Sequence, residues 1–184
     1  MTTNASYAKK LSAGTDFPVM KVTNLDDNTV ELGKPREGTD WQMIVVYRGK
    51  HCPICTKYLN NLEKKRARLI DMGVDLIAVS ADSKQQLQEH IEDLDVNFSL
   101  GYGLTPEQLG QLGVYISDPR SPEETDHPFA EPGLFVVTKE GKILAVDVAN
   151  NPFCRPDIDT LVDGLQFVKN PDNDYPIRGT HTSS

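Results

Sequence analysis

The sequence predicts an α/β sandwich: a central mixed β-sheet flanked by helices, with an N-terminal β-hairpin extension. Three observations carry this. Short, nearly continuous apolar runs alternate with stretches of helical period. The first two runs frame a helix, as a parallel crossover requires. The last two are separated only by a tight polar turn, which makes them antiparallel.

From Phe17 to Leu32 apolar and polar residues alternate loosely around an Asp26-Asp27-Asn28 cluster, which reads as the hairpin. Met43-Ile44-Val45-Val46-Tyr47 follows as a strand covered on both faces. Ile54, Tyr58, Leu59, Leu62, Leu69 and Ile70 then recur at helical spacing, with Lys64, Lys65 and Arg66 on the solvated side. Gly73 supplies the C-terminal stop. Val74-Asp75-Leu76-Ile77-Ala78-Val79 is the next buried strand and completes a strand-helix-strand unit. Ser83 with Gln86 predicts a capping box for a helix carrying Leu87, Ile91 and Leu94, and Thr105-Pro106-Glu107-Gln108 repeats the signal with proline at the first helical position. Gly133-Leu134-Phe135-Val136-Val137 and Ile143-Leu144-Ala145-Val146-Asp147-Val148 flank a Lys139-Glu140-Gly141-Lys142 turn, an antiparallel hairpin. After Pro156 a last helix aligns Ile158, Leu161, Val162, Leu165 and Val168 on one face. The polar segment from about 171 to 184 is expected to be a flexible tail.

A length of 184 residues suits one domain spanning 1–184, and no fixed-period repeat divides it. Nineteen basic against 27 acidic side chains give a net charge of -8, which repels phosphate backbones and anionic headgroups; neither nucleic acid nor membrane is expected as a partner. No apolar run approaches the roughly 18 residues that cross a bilayer. Asn4, Lys9, Lys10 and Asp16 interrupt the N-terminal stretch where a secretory leader would be apolar, so the expected location is cytoplasmic. Three cysteines are too few for a disulfide framework in such a compartment, and a Cys-x-x-Cys there calls for a catalytic or metal explanation.

That motif, Cys52-Pro53-Ile54-Cys55, lies just beyond the first buried strand. Pro53 suits the first helical position, which puts Cys52 at the N-cap, where unpaired backbone N–H groups and the helix dipole favour an anion. Arg48, Lys50 and His51 could add positive potential. A thiol so placed has a pKa of roughly 7 against about 8.5 when free, and only the thiolate attacks disulfides or peroxides. Cys55, one turn on, faces Cys52 and can close a disulfide reversibly. Two other readings remain: half of a zinc site completed by His90, His127, Cys154 or an acidic group, and two buried structural cysteines. Strand, Cys-x-x-Cys and helix at the first crossover narrow the architecture to a thioredoxin-like one.

From about residue 15 to 168 the chain resembles the AhpC/TSA (peroxiredoxin-like) branch of the thioredoxin superfamily. The resemblance rests on Tyr47-Arg48-Gly49, Cys52-Pro53-Ile54-Cys55, Val79-Ser80-Ala81-Asp82 and Gly133-Leu134-Phe135-Val136-Val137. Sliding the Tyr-Pro-x-x-x-Thr-x-x-Cys pattern of typical peroxiredoxins onto Tyr47 puts Arg48 in the proline's place, Cys52 in the threonine's, and Cys55 at the peroxide-attacking position. Cys-Pro-x-Cys instead resembles glutaredoxin, whose first cysteine attacks. The two frames name different sulfurs, and the N-cap placement favours Cys52 as the more exposed. Where the family carries an arginine before the Gly-Leu-Phe strand, this chain has Glu131-Pro132. Pro132 matches the thioredoxin proline that adopts a cis peptide facing the cysteines, or is a plain loop proline. Cys154 is an additional thiol if its loop approaches the motif. The Pro119 to Pro132 loop, with Glu123, Glu124, Asp126 and His127, reads as a solvated connection.

The resemblance implies a thiol-dependent oxidoreductase that reduces hydroperoxides or protein and small-molecule disulfides. Sulfur carries both electrons, so neither an organic cofactor nor a metal is called for. A dithiol reductant such as a thioredoxin or glutaredoxin system would reset the pair, and the chain could form a homodimer. The rival readings are a redox-responsive binding protein and a zinc-stabilised module without turnover.

Overall fold

A computed structural model describes residues 8–183. The predicted hairpin is β1 (Met20–Asn24) and β2 (Thr29–Leu32), turned at Asp27, whose φ of 60° a short polar residue tolerates. β3 (Trp41–Val46) leads into α1 (Pro53–Glu63), then α2 (Arg66–Asp71) and β4 (Val74–Val79). α3 (Lys84–His90), β5 (Ser99–Tyr102) and α4 (Pro106–Leu112) follow. Both predicted capping boxes are present, with each arm made: Ser83 with Gln86, and Thr105 with Gln108. The short strands β6 (Ile116–Ser117) and β7 (Phe129–Ala130) pair with each other, β8 (Gly133–Val137) and β9 (Ile143–Val148) form the predicted hairpin, and α5 (Ile158–Lys169) closes the sequence of long elements.

Seven strands form one sheet in the order β2-β1-β5-β4-β3-β8-β9. β3, β4 and β5 are parallel, while β1 joins β5 and β8 joins β3 antiparallel. The hairpin therefore extends the sheet at one edge. β3 lies inside, flanked by β4 and β8, so its side chains alternate between two cores. Met43, Val45 and Tyr47 face Leu59, Leu62, Leu69, Val162 and Leu165 of the helices on one side. Ile44 and Val46 face Leu109 and Leu112 of α4, with Phe17 and Phe135, on the other. Each fully buried leucine contributes about 1.5–3 kcal/mol relative to exposure, which fixes the start of α1 against the end of β3.

The single helix expected up to Gly73 is broken after Glu63. The break falls in Glu63-Lys64-Lys65-Arg66, where no side chain between Leu62 and Leu69 is buried and nothing apolar ties the backbone to the sheet. Ile54 and Ile70, expected on the apolar face, are exposed. α3 stops at His90 and leaves Ile91 on the surface. β5 has no sequence signal of its own: Ser99-Leu100-Gly101-Tyr102 is short and glycine-containing. Gly101 is required there because a Cβ would come within 2.9 Å of Val79 Cγ1.

Candidate active site

The chain leaves β3 at the middle of the sheet, and Tyr47 N donates to Val79 O at 3.1 Å. The backbone then turns through Gly49, whose φ of 133° a side chain would not adopt. Lys50 N donates to Asp82 Oδ2 at 2.7 Å and Cys52 N to Gly49 O at 3.1 Å, so the turn is bonded from beneath and within itself. Cys52 is the N-cap of α1, with extended backbone angles, and Pro53 is the first helical residue. Cys55 N donates to Cys52 Sγ at 3.2 Å, which is the capping bond that an anionic sulfur at this position would strengthen.

Cys52 and Cys55 are bonded to each other, with Cα atoms 5.2 Å apart. Cys52 is 1 % exposed and Cys55 0 %, so the expected greater exposure of Cys52 is absent in the oxidised pair. Burial comes from both sides: α1 packs onto the sheet, and the segment after β9 folds across the first turn of the helix.

That segment brings Arg155, the residue sequence reasoning missed. Its Nη2 donates to Cys55 Sγ at 2.9 Å, and its guanidinium lies 4.8 Å from the Tyr58 ring centre. Tyr58 Oη in turn donates to Pro156 O at 2.9 Å. Burial lowers the Arg155 pKa to about 10, so the group is charged at neutral pH. Among the described residues its Nε and Nη1 have no hydrogen-bond partner. The guanidinium that touches the cysteine pair thus comes from after β9, while Glu131-Pro132 stands before β8. The one signal was its adjacency to Cys154, which is free, exposed and one residue away.

The cations expected to favour the thiolate are otherwise engaged. Arg48 pairs with Glu131 Oε2 at 3.2 Å and Glu124 Oε1 at 3.8 Å, and lies over the Phe129 ring. Lys50 Nζ pairs with Glu89 at the surface. His51 sits edge-on to Phe129, and burial, with Arg48 next, lowers its pKa to about 4. It is therefore neutral at pH 7 and adds no positive charge. His90, also missed, is buried with its pKa lowered to about 4, and its Nε2 is 2.8 Å from Thr56 Oγ1 in the first turn of α1.

Pro132 is trans, since no peptide bond among the described residues is cis, and the thioredoxin-type expectation is corrected. Its carbonyl accepts from Ala149 N at 3.0 Å. With Tyr58, Arg155 and Pro156 it lines a cavity of about 10 Å³, room for one water. The Pro119 to Pro132 loop is also not a plain solvated connection. Thr125, Phe129 and Glu131 are buried in it, the Glu124 side chain nearly so, and His127 Nε2 reaches Asp82 Oδ1 at 3.5 Å. Lys50, His51, Asp82, Gln86, Glu89 and Glu124 line a cavity of about 410 Å³ between this loop and α3.

Among the described residues no three His, Cys, Asp or Glu side chains gather where they could hold a metal ion. No helix among them is long and apolar enough to cross a membrane.

No curated protein matches the chain. Among solved structures it is similar to AhpC of Mycobacterium bovis, with a TM-score of 0.72, 17% identity, and 95% of this chain and 99% of that one covered. It is also similar to a peroxiredoxin-like protein from Aquifex aeolicus, with a TM-score of 0.70, 19% identity, and 86% and 88% covered. A third is a cysteine-to-serine mutant of peroxiredoxin 6 from Arenicola marina, with a TM-score of 0.69, 17% identity, and 87% and 76% covered. At such identities these likenesses establish the thioredoxin-like fold. The AhpC/TSA pattern matches residues 13–146, from ahead of the hairpin through the cysteine turn and into β9. With that match spanning most of the sheet and the cysteine turn alike, the chain belongs to the AhpC/TSA family.

Proposed function

We propose that the protein is a thiol-dependent oxidoreductase in which Cys52 and Cys55 cycle between dithiol and disulfide while reducing hydroperoxides or disulfides. The observation that carries this is the capped pair: a helix-start sulfur receiving an amide from its own partner, with which it is bonded. With a hydroperoxide, the Cys52 thiolate attacks the terminal oxygen, the O–O bond breaks, and the alcohol or water leaves with a proton. Cys55 then attacks the sulfenic sulfur, forms the disulfide and expels water. With a disulfide substrate, Cys52 forms the mixed disulfide and Cys55 displaces the second thiol. An external dithiol of the thioredoxin or glutaredoxin type returns two electrons and two protons. No metal or organic cofactor enters this cycle, and the reading places it in a reducing, cytoplasmic setting on a single domain. A homodimer is compatible with it.

One observation favours a second assignment of roles. Arg155 lies on Cys55, the position of the attacking cysteine in the peroxiredoxin frame, so Cys55 would attack and Cys52 resolve. Stopped-flow reaction of the reduced protein with hydrogen peroxide and with a model disulfide, followed by mass mapping, decides substrate class and sulfur together. Cys52→Ser is expected to abolish turnover and Cys55→Ser to trap a mixed disulfide or sulfenic acid on Cys52. Modification of Cys55 instead would reverse the roles. Oxidation that changes partner affinity without turnover would point to a redox-responsive binding protein, and stoichiometric zinc in the reduced protein to a structural module.

A further inference from the structure

We infer that Asp82 is a positioning residue for Cys52: its carboxylate holds the Gly49–His51 turn in the backbone path that delivers Cys52 as the cap of α1. Asp82 is 1 % exposed and sits just beyond β4, away from the sulfurs in sequence. Its Oδ2 accepts from Lys50 N at 2.7 Å. Its Oδ1 faces Gly49 so closely that a Cβ there would lie 2.5 Å from it. A turn with φ of 133° at Gly49 and a carboxylate packed into the space of the missing side chain are two halves of one fit. Asp82 is itself held: its N donates to Ser80 Oγ at 3.3 Å, its O accepts from Gly103 N at 2.8 Å, and His127 Nε2 stands 3.5 Å from Oδ1.

The consequence runs to Cys52 through two bonds. Lys50 N fixes the turn, and Gly49 O fixes Cys52 N, which sets the extended angles that aim Sγ at the Cys55 amide. Releasing the turn lets the cap slip and removes the amide that an anionic sulfur needs. The titratable groups around the carboxylate are His127, Lys50 and Asp126, with Tyr47 buried nearby. A negative charge here would by itself oppose the thiolate, so the useful property of Asp82 is its oxygen acceptor and its shape.

This inference rests on Cys52 being the redox thiol, yet its test needs no turnover. In a chain with Cys55→Ser and Cys154→Ser, only Cys52 can be alkylated, and the rate against pH reports its thiol pKa. Asp82→Ala is expected to raise that pKa by about one unit, from roughly 7 to roughly 8, slowing alkylation at pH 7 about fivefold. Asp82→Asn, which keeps an oxygen acceptor for Lys50 N, is expected to restore at least the wild-type rate. An unchanged profile in folded Asp82→Ala, or an Asn variant as slow as the Ala one, overturns the inference. Should Asp82→Ala fail to fold, Gly49→Ala decides: it keeps the carboxylate but pushes the turn off it, and a wild-type profile would be fatal. A normal Cys52 profile in an inactive native chain would instead strike the proposed function.

Discussion

Arg155 donates a hydrogen bond to the sulfur of Cys55 at 2.9 Å across 100 residues of sequence. A disulfide sulfur is a poorer acceptor than a reduced one, and poorer still against the thiolate that the second assignment puts on Cys55, so the contact favours the reduced pair. A charge-assisted hydrogen bond contributes about 1.5–3 kcal/mol, which for a two-electron couple corresponds to roughly 30–60 mV. Arg155→Ala should make the disulfide harder to reduce by that amount, measured by equilibration against glutathione or dithiothreitol. Arg155→Lys should recover only part, because a point charge lacks the flat face that stacks on Tyr58. An unmoved potential would mean that the guanidinium only packs.

Tyr58 offers a control on the same segment. Burial raises its pKa to about 12, so the hydroxyl stays a donor to Pro156 O. Tyr58→Phe keeps the ring under Arg155 and loses one hydrogen bond, about 1 kcal/mol and roughly 2–4 °C in Tm. The reduction potential should stay within a few millivolts of wild type. A shift as large as that of Arg155→Ala would show that the segment's placement, rather than the arginine's charge, sets the potential.

The parts of this arrangement legible in the sequence are those written locally. Cys52-Pro53 marks a helix start, Ser83 with Gln86 and Thr105 with Gln108 mark two more, and the buried runs of β3, β4, β8 and β9 are continuous in the chain. What was not legible is long-range. β5 exists because β4 and β1 give it partners on both sides. Arg155 meets Cys55, and Glu131 meets Arg48, only after the sheet is assembled. Charge alone also misleads. Arg48, Lys50 and His51 look like a positive cluster, but two are spent on carboxylates and the third is neutralised by burial.

Arg48 and Glu131 are both largely buried, at 17 % and 6 % side-chain exposure, and Ser117 Oγ donates to the other Glu131 oxygen at 2.7 Å. Removing one partner of such a pair leaves the other charge without compensation, at about 3–5 kcal/mol when burial is complete. With Glu124 still near Arg48, the lower figure applies. Glu131→Ala is expected to lower Tm by roughly 6–12 °C. Glu131→Gln, which keeps the Ser117 bond, should cost about half as much. Equal losses would mean that the ion pair with Arg48, lost in both variants, and not the hydrogen bond to Ser117, is what holds β8 to the loop before it.

Acid should weaken the fold through two histidines. His51 and His90 have ordinary pKa values near 6.5 when unfolded and about 4 when folded, because burial disfavours their charged forms. Between those values the unfolded chain binds more protons than the folded one, so stability rises with pH there. Acidifying from pH 6.5 to 4 therefore removes stability, with a slope approaching about one proton for each ring. Asp82 works the other way: burial raises its pKa, so the folded state holds that proton more tightly and loses stability as pH rises above 3.8. Urea unfolding at pH 7, 6, 5 and 4 reads the sum. His90→Gln keeps a side chain able to reach Thr56 Oγ1 and should flatten the slope by about one proton, with little change at pH 7. A slope identical to wild type would show that His90 is protonated inside the fold, and the first turn of α1 would then carry a cation beside the cysteine pair.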